Sequence, residues 1–152
     1  MNDHERYIAM ALEDARAAGR AGNRPIASLI VRGGEIVGAG RNTMFSDFDP
    51  SAHAEIAALR DACRRLKTLD LGGATLYTTI EPCPMCFWAM LEAKIERLVM
   101  GGRLANIPGV QYGGYSVESF IDFTGRRMEL VTGLLQGECE ALRIEWAKAQ
   151  GA

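Results

Sequence analysis

The residues of this 152-residue chain that could do chemistry together are His53 and Glu55, in "HAE", and Cys83 and Cys86, in "PCPMC". Taken alone, two cysteines three positions apart suit a redox pair, half of a zinc clip, or two buried thiols on one helical turn. His53 and Glu55 change that balance. A disulfide exchanger has no use for them, and a closed structural zinc site needs a fourth ligand. His4 is the only other histidine, and Cys63 and Cys139 fall in helical stretches where buried, inert thiols are expected. Three ligands, His53, Cys83 and Cys86, match a catalytic zinc that keeps one position open for water. Glu55, two residues beyond His53, can reach that water without occupying the metal.

The elements that must position these side chains can be read from periodicity and punctuation. Pro84 starts a helix to about Ala93, which sets both cysteines on one face at its N-terminus, where free N–H groups and the helix dipole favour thiolates. Asp49 and Pro50 read as the cap and first residue of a helix to about Leu66, with His53 in its first turn. A helix over 4–18, capped by Asn2 or Asp3, ends at Gly19. Strands are predicted over 26–31 and 35–40, joined at Gly33-Gly34, and over 74–79, 96–102 and 128–132. Residues 41–49 read as a polar loop, 116–122 as a short helix and 138–149 as the last helix. The order implies one domain over 1–152, an α/β fold in which a mixed, roughly five-stranded sheet lies in a three-layer α/β/α sandwich.

Composition agrees with a globular protein: 48% hydrophobic and 24% charged residues, with a net charge of −2. That balance argues against a strong nonspecific hold on nucleic acid. The N-terminal stretch carries charges throughout, and no apolar run reaches the roughly 20 residues of a membrane span. The expected setting is the cytoplasm, away from membranes, with the cysteines reduced.

The pattern H-A-E followed by P-C-x-x-C resembles the zinc-dependent cytidine/deoxycytidylate deaminase superfamily. "DPSAHAEIAALR", "ATLYTTIEPCPMC" and "LVTGLLQGECEALR" are similar to the branch with guanine deaminases, fungal-type cytosine deaminase and tRNA adenosine deaminases. The resemblance extends over nearly the whole chain. It implies Zn2+ on His53, Cys83 and Cys86, with Glu55 carrying protons from the activated water to the ring nitrogen and the leaving amine. It also implies substrate contacts from Asn42, the backbone N–H of Ala54 and the carbonyl near Pro82, and a homodimer.

Three features bear on which amine is removed. Residues 126–152 balance Arg126, Arg127, Arg143 and Lys148 against Glu129, Glu138, Glu140 and Glu145, a poor match for the phosphates of an anticodon stem-loop. Phe87 and Trp88 follow Cys86, bulk that either narrows the site towards a small planar ring or packs in a core or dimer interface. "GVQYGGYSVESFIDF" (109–123) offers Tyr112, Tyr115, Phe120 and Phe123 for a wall or lid, with Glu118 or Asp122 facing an exocyclic amine, or else an ordinary packed connection. The expected substrate is therefore a free nucleobase or similar small aminated heterocycle, of the cytosine, guanine or triazine type. The alternative is adenosine-to-inosine deamination in tRNA. A non-catalytic zinc scaffold is the third reading, and it leaves Glu55 without a purpose.

Overall fold

Gly33 and Gly34, at φ 61° and 79°, close the hairpin between β1 (Ala27–Arg32) and β2 (Glu35–Arg41), a left-handed pair of turn residues that glycine adopts without steric cost. In this computed structural model, which describes residues 1–110 and 112–151, β1 also pairs antiparallel with β3 (Thr75–Ile80). The strands β4 (Arg97–Gly102) and β5 (Glu129–Val131) then add in parallel. The sheet order is β2-β1-β3-β4-β5, a mixed five-stranded sheet as the sequence predicts.

Helices cover both faces. The helices α3 (Ala54–Leu66), α4 (Pro84–Glu92) and α5 (Val117–Thr124) lie on one side, around Ile30, Leu76, Phe87 and Met100. On the other, α1 (Asp3–Arg20) and α6 (Gln136–Ala149) pack around Ile8, Leu29, Tyr77 and Val99. The alternation along β3 explains this split, since Leu76 faces one cluster and Tyr77 the other. This is the three-layer α/β/α sandwich, and both parallel connections run through a helix. Among the described residues no helix is long and apolar enough to cross a membrane.

Two local readings are corrected. The third helix begins at Ala54, not at Pro50: the Asp49 carboxylate accepts from the Ser51 N–H and hydroxyl at 2.8 and 2.7 Å, so Asp49 closes a turn two residues on instead of capping a helix. His53 is consequently the N-cap residue. The expected loop at 41–49 also contains a short helix, α2 (Met44–Asp47), tied down by Asn23, whose side-chain oxygen accepts from the Phe45 and Ser46 N–H groups.

The end of α3 that carries His53 is pressed onto β2. A Cβ at Gly38 would meet the Ala58 oxygen and the Ala62 Cβ at 2.7 Å, and one at Gly40 would lie 2.4 Å from the Ala54 oxygen. Glycine on the strand and alanine on the helix let the two backbones touch.

Candidate active site

Two helix N-termini converge at the ends of the central strands. His53 caps α3 with extended backbone, and Cys83 caps α4, with Pro84 at its first helical position and Cys86 in its first turn. The His53 Nδ1 lies 3.5 Å from the Cys83 Sγ and 3.4 Å from the Cys86 Sγ, and the two sulfurs are 3.6 Å apart. A tetrahedral zinc with Zn–S of about 2.3 Å and Zn–N of about 2.0 Å holds such atoms roughly 3.5–3.8 Å apart. The triangle of donors therefore fits zinc, and the borderline-soft N/S/S set suits that metal.

The three donors are in mutual hydrogen-bond contact. Cys83 is brought down to about 4, first by its hydrogen bond with Cys86 and then, against the effect of burial, by His53. The Cys86 thiol is pushed up by sitting against that sulfur and by burial, while the hydrogen bond with Cys83 raises His53. Metal binding would complete the deprotonation of both thiols.

Glu55, in the first turn of α3, is 3% exposed. Its Oε1 accepts from the Thr78 hydroxyl at 3.1 Å and the Ser28 hydroxyl at 3.4 Å. Burial raises its pKa above the ordinary carboxylate range, against the opposing hydrogen bonds from Cys86 and Thr78. Ser28 and Thr78 belong to β1 and β3, on the face that supports α3, and their small polar side chains inside a buried sheet were the sequence signal for them.

His53, Glu55 and Cys83 line one cavity with Asn42 and Ala54. Asn42 is 2% exposed, and its Oδ1 accepts from the Met44 N–H at 3.1 Å. The N–H of Ala54 opens the helix and has no intrahelical acceptor. Apolar walls come from Ile26, Ile80, Leu104, Ile107 and Val110, and Tyr112 and Glu81 with two arginines, Arg24 and Arg143, line the remainder.

Other expectations are redirected. The Pro82 carbonyl accepts the Tyr115 hydroxyl and stands outside the cavity lining. Glu118 does not face the cavity: its carboxylate lies on the Arg103 guanidinium at 2.6 and 3.0 Å, and Asp122 is solvent-exposed on α5. Phe87 and Trp88 do not narrow the site. Phe87 is fully buried with its edge on Phe120, while Trp88 is 41% exposed on the outer face of α4, beneath the Arg126 guanidinium. Both spare thiols are structural, Cys63 half-buried and Cys139 pushed up to about 12 by burial.

Sequence reading missed Glu81, the residue before Pro82. Its carboxylate is 2% exposed and takes four donors: Arg103 Nε at 3.1 Å and Leu104 N–H at 3.1 Å on Oε1, Arg103 Nη2 at 3.4 Å and Val117 N–H at 2.9 Å on Oε2. It also missed Arg24 and Arg143. For Arg143 a signal existed, because Cys139, Arg143 and Trp146 recur at helical spacing on the inward stripe of α6.

Comparison with known proteins agrees with this geometry. The tRNA-specific adenosine deaminase of Buchnera aphidicola is 34% identical over 149 residues, 97% of this chain and 91% of its own. The guanine deaminase from Nitrosomonas europaea superposes with a TM-score of 0.85 at 29% identity, over 95% of this chain and 84% of its own. A structure from work on tRNA:A34 deaminases, which edit A to I at the wobble position, gives 0.79 at 33% identity, over 90% of this chain and 98% of its own. Residues 1–102 match the cytidine and deoxycytidylate deaminase zinc-binding region, and the chain belongs to that family of zinc-binding deaminases.

Proposed function

We propose that the chain is a hydrolytic deaminase of a free nucleobase or of a related small molecule bearing such an aminated ring, of the cytosine, guanine or triazine kind. The observation that carries this reading is a buried carboxylate, Glu55, beside the His53, Cys83 and Cys86 donor set inside one walled cavity. A zinc scaffold has no use for such a carboxylate.

Zinc on those three donors would supply the Lewis acidity that makes water a nucleophile at neutral pH. The proton traffic falls to Glu55. Its carboxylate takes one proton from the attacking water for the ring nitrogen and passes the second to the amine; the ring carbon gains C=O, the C–N bond breaks and ammonia leaves. Burial strengthens its hold on the proton in transit. Thr78 serves both states of the carboxylate. Its hydroxyl donates to ionised Glu55 at 3.1 Å, or turns to the Ile80 oxygen 3.0 Å away and accepts from the protonated form. Asn42 and the Ala54 N–H offer the ring polar partners, which a ring lacking the complementary groups would leave unpaired.

Adenosine deamination in tRNA is the second reading, favoured by the names of the relatives. The net charge of −2 speaks for the small molecule. Ammonia release from free bases, nucleosides, nucleotides and an anticodon stem-loop tests the choice, and turnover confined to the RNA would overturn the first reading. The four free cysteines fit a reducing, cytoplasmic setting. A homodimer through the apolar face formed by Leu69, Met85 and Trp88 between α3 and α4 belongs to the same reading, and sedimentation of Trp88→Glu as a monomer would support it.

A further inference from the structure

The cavity described above has two walls with no task in the chemistry. Arg143, on α6, is 7% exposed, yet it forms no hydrogen bond or ion pair among the described residues. Arg24, between α1 and β1, makes one weak contact, Nη1 to the Met44 sulfur at 3.8 Å, and its Nε is buried with no partner among the described residues. The two guanidinium groups feel each other's charge, which lowers the Arg143 pKa after burial itself, and no carboxylate enters the balance at Arg143. A buried cation ordinarily has a counter-ion, so Arg143 and the half-buried Arg24, lining one cavity without one, make an unsatisfied site.

Their setting defines what would satisfy it. Arg143 stacks on the Trp146 ring at 5.5 Å and Arg24 on the Phe45 ring at 5.9 Å, and those rings are 5.8 Å apart. Each guanidinium lies over a ring and has no oxygen acceptor among the described residues, and guanidinium groups take up phosphate or carboxylate oxygens in pairs. The indole Nε1 of Trp146 is a further buried donor without a partner among the described residues. Beside the catalytic cavity, Arg24, Val110, Tyr112 and Arg143 also line an outer trough bounded by Phe45 and Trp146. A molecule with its ring at Glu55 can therefore extend past both arginines.

We propose that Arg24 and Arg143 form an anion subsite continuous with the deamination cavity, and that the substrate is a phosphate ester of a nucleobase compound, its phosphate held between the two guanidinium groups. This rests on the deaminase reading and narrows it: the preferred small molecule is a nucleotide of the nucleoside 5′-monophosphate class, not the bare base. The aromatic rings flank the sugar-phosphate portion.

The test uses the zinc-loaded full chain. Deamination of matched sets of base, nucleoside and nucleoside 5′-monophosphate is measured for adenine, guanine and cytosine, with an anticodon stem-loop as a further arm. For the ring accepted, the monophosphate should exceed its nucleoside by about tenfold or more in kcat/KM, as expected of charge-assisted bonds. Inorganic phosphate should compete with it. Arg143→Met and Arg24→Met should each shrink that preference through KM, with Arg143→Lys restoring part of it. Turnover confined to the stem-loop would overturn the monophosphate proposal, and the same dependence on both arginines would then assign them to a phosphodiester. Equal rates for nucleoside and monophosphate, or a preference that survives both Met variants, would overturn the subsite while leaving the deaminase reading intact. Calorimetric binding of nucleoside monophosphates that is lost in the Met variants, without turnover of any compound, would uphold the subsite and sink the deaminase reading.

Discussion

Gly40 and Ala54 face each other across the β2–α3 contact so closely that a Cβ on Gly40 would lie 2.4 Å from the Ala54 oxygen and 2.4 Å from the Ala58 nitrogen. Both obstacles are backbone, so neither can swing aside. Gly40→Ala should cost about 1–3 kcal/mol in urea unfolding, and should also weaken zinc binding, because the helix end it displaces carries His53. Gly137 in α6, where an added Cβ meets nothing within 4 Å, is the control, and Gly137→Ala should leave the midpoint unchanged or raised.

Glu81→Ala should be the more damaging change. It strands the Arg103 guanidinium and the N–H groups of Leu104 and Val117, so a loss of roughly 3–5 kcal/mol in denaturant stability is expected. Glu81→Gln, which keeps an acceptor, should lose less.

Zinc content and turnover should separate by residue. Cys86→Ser and His53→Ala should lower the zinc-to-protein ratio measured by atomic absorption, with activity falling in step. Glu55→Gln should retain zinc while turnover drops about 10²-fold or more. Loss of zinc from the Gln variant would show that Glu55 holds metal instead of protons.

Acid should reveal the Arg103–Glu118 pair. The Arg103 hydrogen bond lowers the Glu118 pKa below 4.5, so its contribution to stability is complete above that value and is lost as pH falls through the native one. Glu118 is half exposed, so the contribution is below about 1 kcal/mol. Between pH 6 and pH 4, wild type should therefore lose slightly more stability than Glu118→Gln in paired denaturation curves.

The metal-binding donor set was legible in the sequence because His53, Cys83 and Cys86 are side chains of distinctive type at local spacings, in "HAE" and "CPMC". The layers followed from hydrophobic periodicity and turn glycines. What escaped depends on contacts distant in sequence. Asp49-Pro50 carries the local signature of a helix start, yet Ser51 takes the carboxylate. The helix α2 exists because Asn23, some twenty residues earlier, holds its first N–H groups. Arg143 counted as one more surface charge until α6 turned it inward, and Glu118 found Arg103 before it could face a substrate.

The two oxygens of Glu81 hold Leu104 and Val117, so the segment between them stands with both feet on one residue. Its inner face supplies Ile107, Val110 and Tyr112 to the cavity. Because the feet are fixed independently of what lies between, the segment behaves as an exchangeable module. A change of length or sequence between the feet should therefore reshape this wall of the cavity while the metal ligands beyond Pro82 keep their places.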